Sequence, residues 1–181
     1  VFLGVVHRID RPVSGAVLFA KTSKALTRLN EMIREGRIRK IYWALTEQAP
    51  DPLSGELCHY ILRDGRANRS RACDAPKADA KQARLRYATL GAGTHYTLVE
   101  VELLTGRTHQ IRATMAEIGH PLVGEGKYSS MKNDLGFRFQ ALCAWSLTFR
   151  FEGDSAPLDY LNGRTFTVGE DPFARYLRDR K

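Results

Sequence analysis

The sequence has little that would place it in a membrane, cross-link it or bind a metal. No apolar run approaches the roughly 20 residues of a membrane span, and no charged-then-apolar leader opens the chain. Cysteine is scarce. Cys58, Cys73 and Cys143 are odd in number and far apart, which argues against a disulfide framework and for a reducing, cytoplasmic compartment. No Cys-x-x-Cys pair occurs, and the five histidines show no ligand spacing with the cysteines, so no metal is expected. Negative charge is also in short supply, with 20 Asp+Glu against 28 Lys+Arg, a net charge of +8. Such an excess favours a polyanionic partner, because each phosphate neutralised by Lys or Arg releases a counterion; a basic protein without such a partner is the alternative. No repeat, low-complexity tract or interdomain linker interrupts the 181 residues, and 43% apolar content suits a single domain with its own core. The chain opens on Val1 rather than Met and reads as a piece of something longer.

What is present begins with His7-Arg8-Ile9-Asp10-Arg11-Pro12-Val13-Ser14-Gly15. A carboxylate stands between two arginines, and Pro12 stiffens the backbone just after it. Ser14 and Gly15 are turn formers, and the apolar stretch behind them predicts a short buried strand from Val13 to Ala20. A stiff loop holding one flanked acid at the mouth of a strand can present a nucleophile or base. It can equally be a surface loop whose Asp10 pairs with a neighbouring arginine at little energetic consequence.

Farther along, Thr22 and its neighbours cap a predicted helix to about Glu35, with Leu26, Leu29, Met32 and Ile33 on one face and Gly36 ending it. From Arg37 to Thr46 the period changes to two. Lys40 and Tyr42 then share a face, which is notable because core faces rarely carry lysine. A further strand is predicted over 56–62. Next, Arg63, Arg66, Arg69 and Arg71 fall within nine residues, in a stretch too polar for a core, read as a solvated loop or irregular hairpin. Guanidinium groups suit phosphate and base-stacking contacts better than ammonium groups do. Strands over 81–90 and 96–104 flank a Gly91-Ala92-Gly93-Thr94 turn. Thr105-Gly106-Arg107-Thr108-His109-Gln110-Ile111-Arg112 comes next, with Thr108 as N-cap of a helix through Ile118 that Gly119 closes. His109 and His120 are read as structural, Cys143 as core, and Asp171-Pro172 as the start of a basic helix to Lys181.

Three of these stretches together resemble the RluA family of RNA pseudouridine synthases. His7 to Gly15 is similar to its signature H-R-L-D-x-x-T-S-G, with Ile9 for Leu and Val13 for Thr. Lys40-Ile41-Tyr42-Trp43-Ala44 is similar to its Lys-x-Tyr-x-Ala motif, and Thr105 to Arg112 equals its T-G-R-T-H-Q-I-R at all eight positions. Lys81-x-Ala83 with Tyr87, His120 to Gly124 with Tyr128, and Gln140 to Trp145 resemble further family segments, with Glu125 where the family has Asp and Cys143 where it has His. The resemblance runs from about Val5 to about Phe151 and is weakest near 64–80.

The resemblance implies an α+β fold, a mixed, mainly antiparallel central sheet with flanking helices and the Asp10 loop in a central basic cleft. It implies one catalytic domain over 1–181, lacking the family's leading strand, which would lie upstream of Val1. The implied reaction detaches uracil from ribose at N1, turns the base and rejoins it through C5, without cofactor or metal. On this pattern Asp10 is the catalytic carboxylate, Tyr42 lies against the base, and Arg112 pairs with Asp10 and keeps it ionised. Arg8 is placed to fill the stack that an extruded uridine vacates. Arg11, Lys40, Arg107 and the arginines at 63, 66, 69 and 71 are expected to contact the RNA, ribosomal or transfer, with the protein acting as a monomer. The alternatives are a non-catalytic RNA-binding module using the same cleft and, more remotely, a nuclease; the latter would want a second carboxylate for metal, and neither motif contains one.

Overall fold

The structure is a computed structural model and describes residues 1–93, 95–133, 135–151 and 156–177. In chain order it runs β1 (Gly4–Val5), β2 (Ser14–Gly15), β3 (Phe19–Ala20), α1 (Ser23–Arg34), β4 (Ile38–Thr46), β5 (Ser54–Asp64) and β6 (Arg69–Cys73). Then come β7 (Lys81–Ala92), β8 (Thr97–Leu103), α2 (Gln110–Glu117), β9 (Leu142–Phe149), a 3₁₀ turn (Asp159–Leu161), β10 (Thr165–Thr167) and α3 (Ala174–Leu177). Seven strands form an antiparallel ladder in the order β10-β9-β4-β8-β7-β5-β6, and β2 joins β9 in parallel. The result is the expected α+β arrangement with a mixed, antiparallel-dominated sheet. Among the described residues no helix is long and apolar enough to cross a membrane.

Helix α1 matches its sequence signals most closely. Thr22 Oγ1 accepts the Ala25 N–H at 3.1 Å, Leu29 and Met32 are buried, and Gly36 ends the helix at φ 71°. That φ suits glycine because no Cβ opposes it. Each fully buried side chain of this size contributes roughly 1.5–3 kcal/mol.

β4 is the centre of the molecule, hydrogen-bonded on one side to β8 and on the other to β9. Its even-numbered residues face one side of the sheet. Ile38 joins Leu29, Met32, Leu147 and Phe149 beneath α1, while Tyr42 and Ala44 join Val13, Ile111 and Met115 beneath α2. The helices thus cover two neighbouring patches of one face, with Lys40 at the boundary between them. On the opposite face Leu45, Cys143 and Phe173 make a third cluster, with the stacked rings of Trp43 and Trp145 at its edge.

Several expected elements differ. The strand expected over 13–20 is two separate two-residue pairings, β2 with β9 and β3 with β1, and Phe19 is exposed. The arginine-rich stretch is a regular hairpin. β5 extends to Asp64, Asp64 Oδ1 accepts the N–H groups of Arg66 and Ala67, and β6 returns with Ser70 and Ala72 buried. Alternation on β6 is hidden in the sequence because exposed arginines separate only two small inward residues. Helix α2 is capped not by Thr108 but by His109, in a left-handed conformation and without a side-chain bond. At the far end Asp171 Oδ1 accepts the Phe173 N–H, but the helix is the short α3; residues 178–181 of the expected helix, and Thr94 of the expected turn, lie outside the described set.

Candidate active site

The Asp10 loop is held from its C-terminal side. Val13 N–H bonds back to the Asp10 carbonyl at 2.8 Å, closing the turn, and Gln140 Nε2 donates to the Arg11 carbonyl at 3.3 Å. β2 then enters the ladder beside Cys143 and Ala144, and Ala16 N–H donates to the Ala144 carbonyl at 2.9 Å. Gly15 is required here. Its φ is 127°, and a Cβ on it would sit 2.3 Å from the Ala144 carbonyl oxygen.

The turn before α2 is built around the buried Gln110. Its side-chain oxygen accepts the Arg107 N–H at 2.9 Å and the Thr105 hydroxyl at 2.8 Å, while its amide donates to the Arg84 carbonyl at 2.9 Å. His109 takes φ 54° at the turn's end and is buried. A left-handed non-glycine residue costs of order 1 kcal/mol and persists where its surroundings over-determine it. Here the restraint is Tyr128, whose hydroxyl lies 2.6 Å from His109 Nδ1.

These turns bring three distant motifs to one point. Asp10 Oδ2 lies 3.5 Å from Arg112 Nη1, and the Asp10 side chain is one-quarter exposed. Tyr42, buried on β4, has its phenol pushed up to about 12 by burial and by the nearby Asp10 charge, and so is neutral. The principal partner of Arg112, however, is Glu125. Nε and Nη2 meet the two carboxylate oxygens at 2.7 Å each, in a bidentate pair whose side chains are 4% and 0% exposed. Burial by itself would raise the Glu125 carboxyl, but the Arg112 bonds and the Lys127 N–H at 2.8 Å overcome this and hold it below its ordinary value. Burial opposes the Arg112 charge too, and the Glu125 bonds and the Asp10 charge more than offset that. Arg112 also lies over the Tyr128 ring, 5.4 Å from its centroid, with Arg69 at 5.4 Å from the same centroid.

Tyr128 ties this centre to the arginine hairpin. Its hydroxyl accepts the Ser70 N–H at 2.9 Å and shares a hydrogen bond of 2.6 Å with His109 Nδ1, so one phenol serves both the hairpin and the turn before α2. Burial lowers the His109 pKa, with the Asp10 charge opposing. Ser70 Oγ donates to the Thr108 carbonyl at 2.8 Å, and Lys127 Nζ to the Asn68 carbonyl at 2.6 Å. Between this hairpin and α2 runs a groove of about 920 Å³, lined by Arg63, Arg66, Arg69 and Arg71 on one side and Ala113 and Ala116 on the other.

Of the residues expected to touch RNA, Arg8, Arg11, Arg107 and the four hairpin arginines are exposed; Arg107 also donates through Nε to the Gln82 carbonyl at 2.8 Å. Lys40 is the exception, buried at 8% exposure. Sequence reasoning passed over Glu125, Tyr128, His109, Ser70 and Gln140 as site residues. The signal for Glu125 was available: a carboxylate thirteen residues beyond a buried arginine, in a segment matching the family pattern. For Ser70 there was none. Among the described residues no group of three or more His, Cys, Asp or Glu side chains is placed to hold a metal ion.

Comparison with known proteins adds to this geometry. Residues 2–117 match the profile of a family described as RNA pseudouridylate synthase. An uncharacterized RNA pseudouridine synthase of Chloroflexus aurantiacus is 39% identical over 141 residues, covering 78% of this chain and 43% of the relative. The ribosomal large subunit pseudouridine synthase C of Buchnera aphidicola is 34% identical over 134 residues, covering 74% and 42%. Among solved structures, human RNA pseudouridylate synthase domain containing 1 superposes with a TM-score of 0.75 at 24% identity, over 98% of this chain and 72% of that one. The corresponding human domain-containing protein 4 gives 0.74 at 20% identity, over 94% and 72%; at these identities the two structures speak for the fold. The chain spans about half the length, or less, of the curated relatives it matches.

Proposed function

The chain belongs to the RNA pseudouridylate synthase family, and on that premise we propose that it isomerises uridines of ribosomal or transfer RNA to pseudouridine, with Asp10 as the catalytic carboxylate. The observation that carries this reading is the convergence of Asp10, Tyr42 and Arg112, from three separate motifs, in one half-buried cleft, with Asp10 and Arg112 3.5 Å apart. In the reaction the C1′–N1 bond breaks, a C1′–C5 bond forms, the proton on C5 leaves and N1 gains one. Asp10 acts as carboxylate, adding to the substrate or taking a proton from the sugar. Its partial exposure leaves it open to an incoming ribose.

Tyr42 presents a neutral phenol and an aromatic face to the uracil. Arg112, anchored by Glu125, supplies fixed positive charge beside Asp10 with no rearrangement during the reaction. The exposed arginines along the hairpin groove hold flanking RNA, whose backbone they match in charge. A uridine in folded RNA must leave its stack at a cost of a few kcal/mol, and Arg8, two residues from Asp10 and exposed, fills the gap with its planar head. The unpaired cysteines suit a reducing compartment such as the cytoplasm.

The test is tritium release from pooled ribosomal and transfer RNA labelled at uracil C5, with EDTA present, comparing wild type and Asp10→Asn. Release by wild type that disappears in Asp10→Asn is the expected result. Intact RNA binding without release from either protein would favour a non-catalytic RNA-binding module.

A further inference from the structure

Lys40 has no part in the isomerase mechanism, and its surroundings are unusual. It sits on the central strand β4 at 8% exposure, between the patch under α1 and the patch under α2. No ion pair or hydrogen bond engages its ammonium among the described residues, and burial alone depresses its pKa, with no carboxylate to oppose this. An uncompensated buried cation costs several kcal/mol, a cost ordinarily met by a partner. Near the ammonium, His7 has both ring nitrogens buried; burial first, then the Lys40 charge, lowers its pKa against a backbone hydrogen bond with Ala16, so His7 offers Lys40 no counter-charge. Over the ammonium lies Gly106, exposed at the turn before α2; a methyl group there would sit 3.6 Å from Lys40 Nζ. Where any other residue would cover the ammonium, glycine leaves an opening to it.

An ammonium without a partner, no opposing carboxylate and an opening at the surface together describe an anion site. Lys40 is two residues from Tyr42 on the same face of β4, about 7 Å along the strand and within the span of one nucleotide. We propose that Lys40 and the opening at Gly106 form a subsite for one RNA backbone phosphodiester next to the uridine that lies on Tyr42. The proposal rests on the isomerase reading for the place of the base, but the phosphate contact itself does not depend on turnover. Lys40 donates to a phosphate oxygen, and the arriving charge supplies the counter-ion that the folded protein lacks.

The subsite is tested by the salt dependence of binding of pooled ribosomal and transfer RNA, in an Asp10→Asn background so that no turnover occurs. Lys40→Met is expected to reduce the slope of log K against log salt by about 0.7, the value for one lost phosphate contact on a single strand, and to weaken binding about tenfold. Lys40→Arg is expected to retain the slope, and Lys24→Met, on the exposed side of α1, to leave it unchanged. Lys40→Met is also expected to melt no lower than its parent, since it removes a charge that nothing in the free protein balances. If the folded Lys40→Met protein keeps the parental slope, the subsite does not exist. Should Lys40→Met not fold, Gly106→Leu covers the ammonium without removing it and is expected to show the same slope loss; an unchanged slope there overturns the proposal equally. Absence of tritium release by wild type would end the isomerase reading while leaving this slope result standing, so the two failures are distinguishable.

Discussion

Replacing Glu125 by Gln tests whether the Arg112–Glu125 pair organises the site. The pair is bidentate at 2.7 Å and 2.7 Å, with side chains 4% and 0% exposed. For an exposed pair the loss would be 0–1 kcal/mol, but breaking a buried pair from one side leaves the other charge uncompensated, at about 3–5 kcal/mol. Glutamine keeps one oxygen for Arg112 but turns a donor toward the other guanidinium nitrogen, so about 3 kcal/mol is expected. In a domain of this size that lowers the melting temperature by roughly 6–12 °C. The difference should also depend on pH with a definite sign. Glu125 is held below its ordinary value near 4.5 in the folded protein, so its contribution is fully present above about pH 4.5 and is lost as pH falls through the folded value. Urea unfolding of wild type and Glu125→Gln at pH 7 and at pH 3.5 measures both effects, with the gap narrowing at the lower pH. In tritium release the variant should lose kcat with little change in KM, because a freed Arg112 rotates onto Asp10. A stability loss under 1 kcal/mol at pH 7, or a gap that widens toward pH 3.5, would refute the reasoning.

Other outcomes are expected from the same contacts. Gly15→Ala places a methyl group where the Ala144 carbonyl already stands, so β2 should leave the ladder, with activity lost and the melting temperature lowered by several degrees. Tyr128→Phe leaves the Ser70 N–H and His109 Nδ1 without their shared partner and should cost about 1–3 kcal/mol by denaturant unfolding, with lower affinity for RNA as the hairpin loosens. Ultraviolet titration of wild type against Tyr42→Phe should show Tyr42 ionising near 12, so the rate should gain nothing from this phenol between pH 8 and 10; a wild-type rise in that window absent from Tyr42→Phe would contradict this. Replacing Arg63 and Arg66 together by Gln should flatten the salt dependence of RNA binding without lowering the melting temperature, because both side chains are exposed.

The local elements were legible where one physical signal dominated. Helix α1 was readable from its 3.6-residue pattern, Thr22 and Gly36, and β4 from its two-residue alternation. The strand expected over 13–20 was misjudged because its pairing is not local. Ser14 and Gly15 are strand residues only through pairing with β9, some 130 positions away, and nothing between 13 and 20 encodes that partner. Thr108 looked like a helix cap by residue type, yet its carbonyl is engaged by Ser70 and the turn is instead fixed by Gln110 and the left-handed His109. The arginine stretch disclosed its charge but not its geometry, since its hold on the site passes through Ser70, whose backbone N–H carries no residue-specific mark.

The motifs placed Asp10 beside Arg112 but not the second carboxylate that shares the arginine, and that sharing bears on the chemistry. Two short bonds from Arg112 go to Glu125, and only the 3.5 Å contact is left for Asp10. Had Asp10 held the bidentate position, both its oxygens would be occupied in hydrogen bonds of the strong, charge-assisted kind, and a carboxylate so engaged would have to give them up to play the part proposed for it. With Glu125 as the fixed counter-ion, Arg112 stays charged and immobile whatever Asp10 does, and Asp10 keeps a lone pair and a quarter of its surface free. The arrangement separates holding the arginine from the role proposed for Asp10, which as nucleophile or as base has to change its bonding during the reaction.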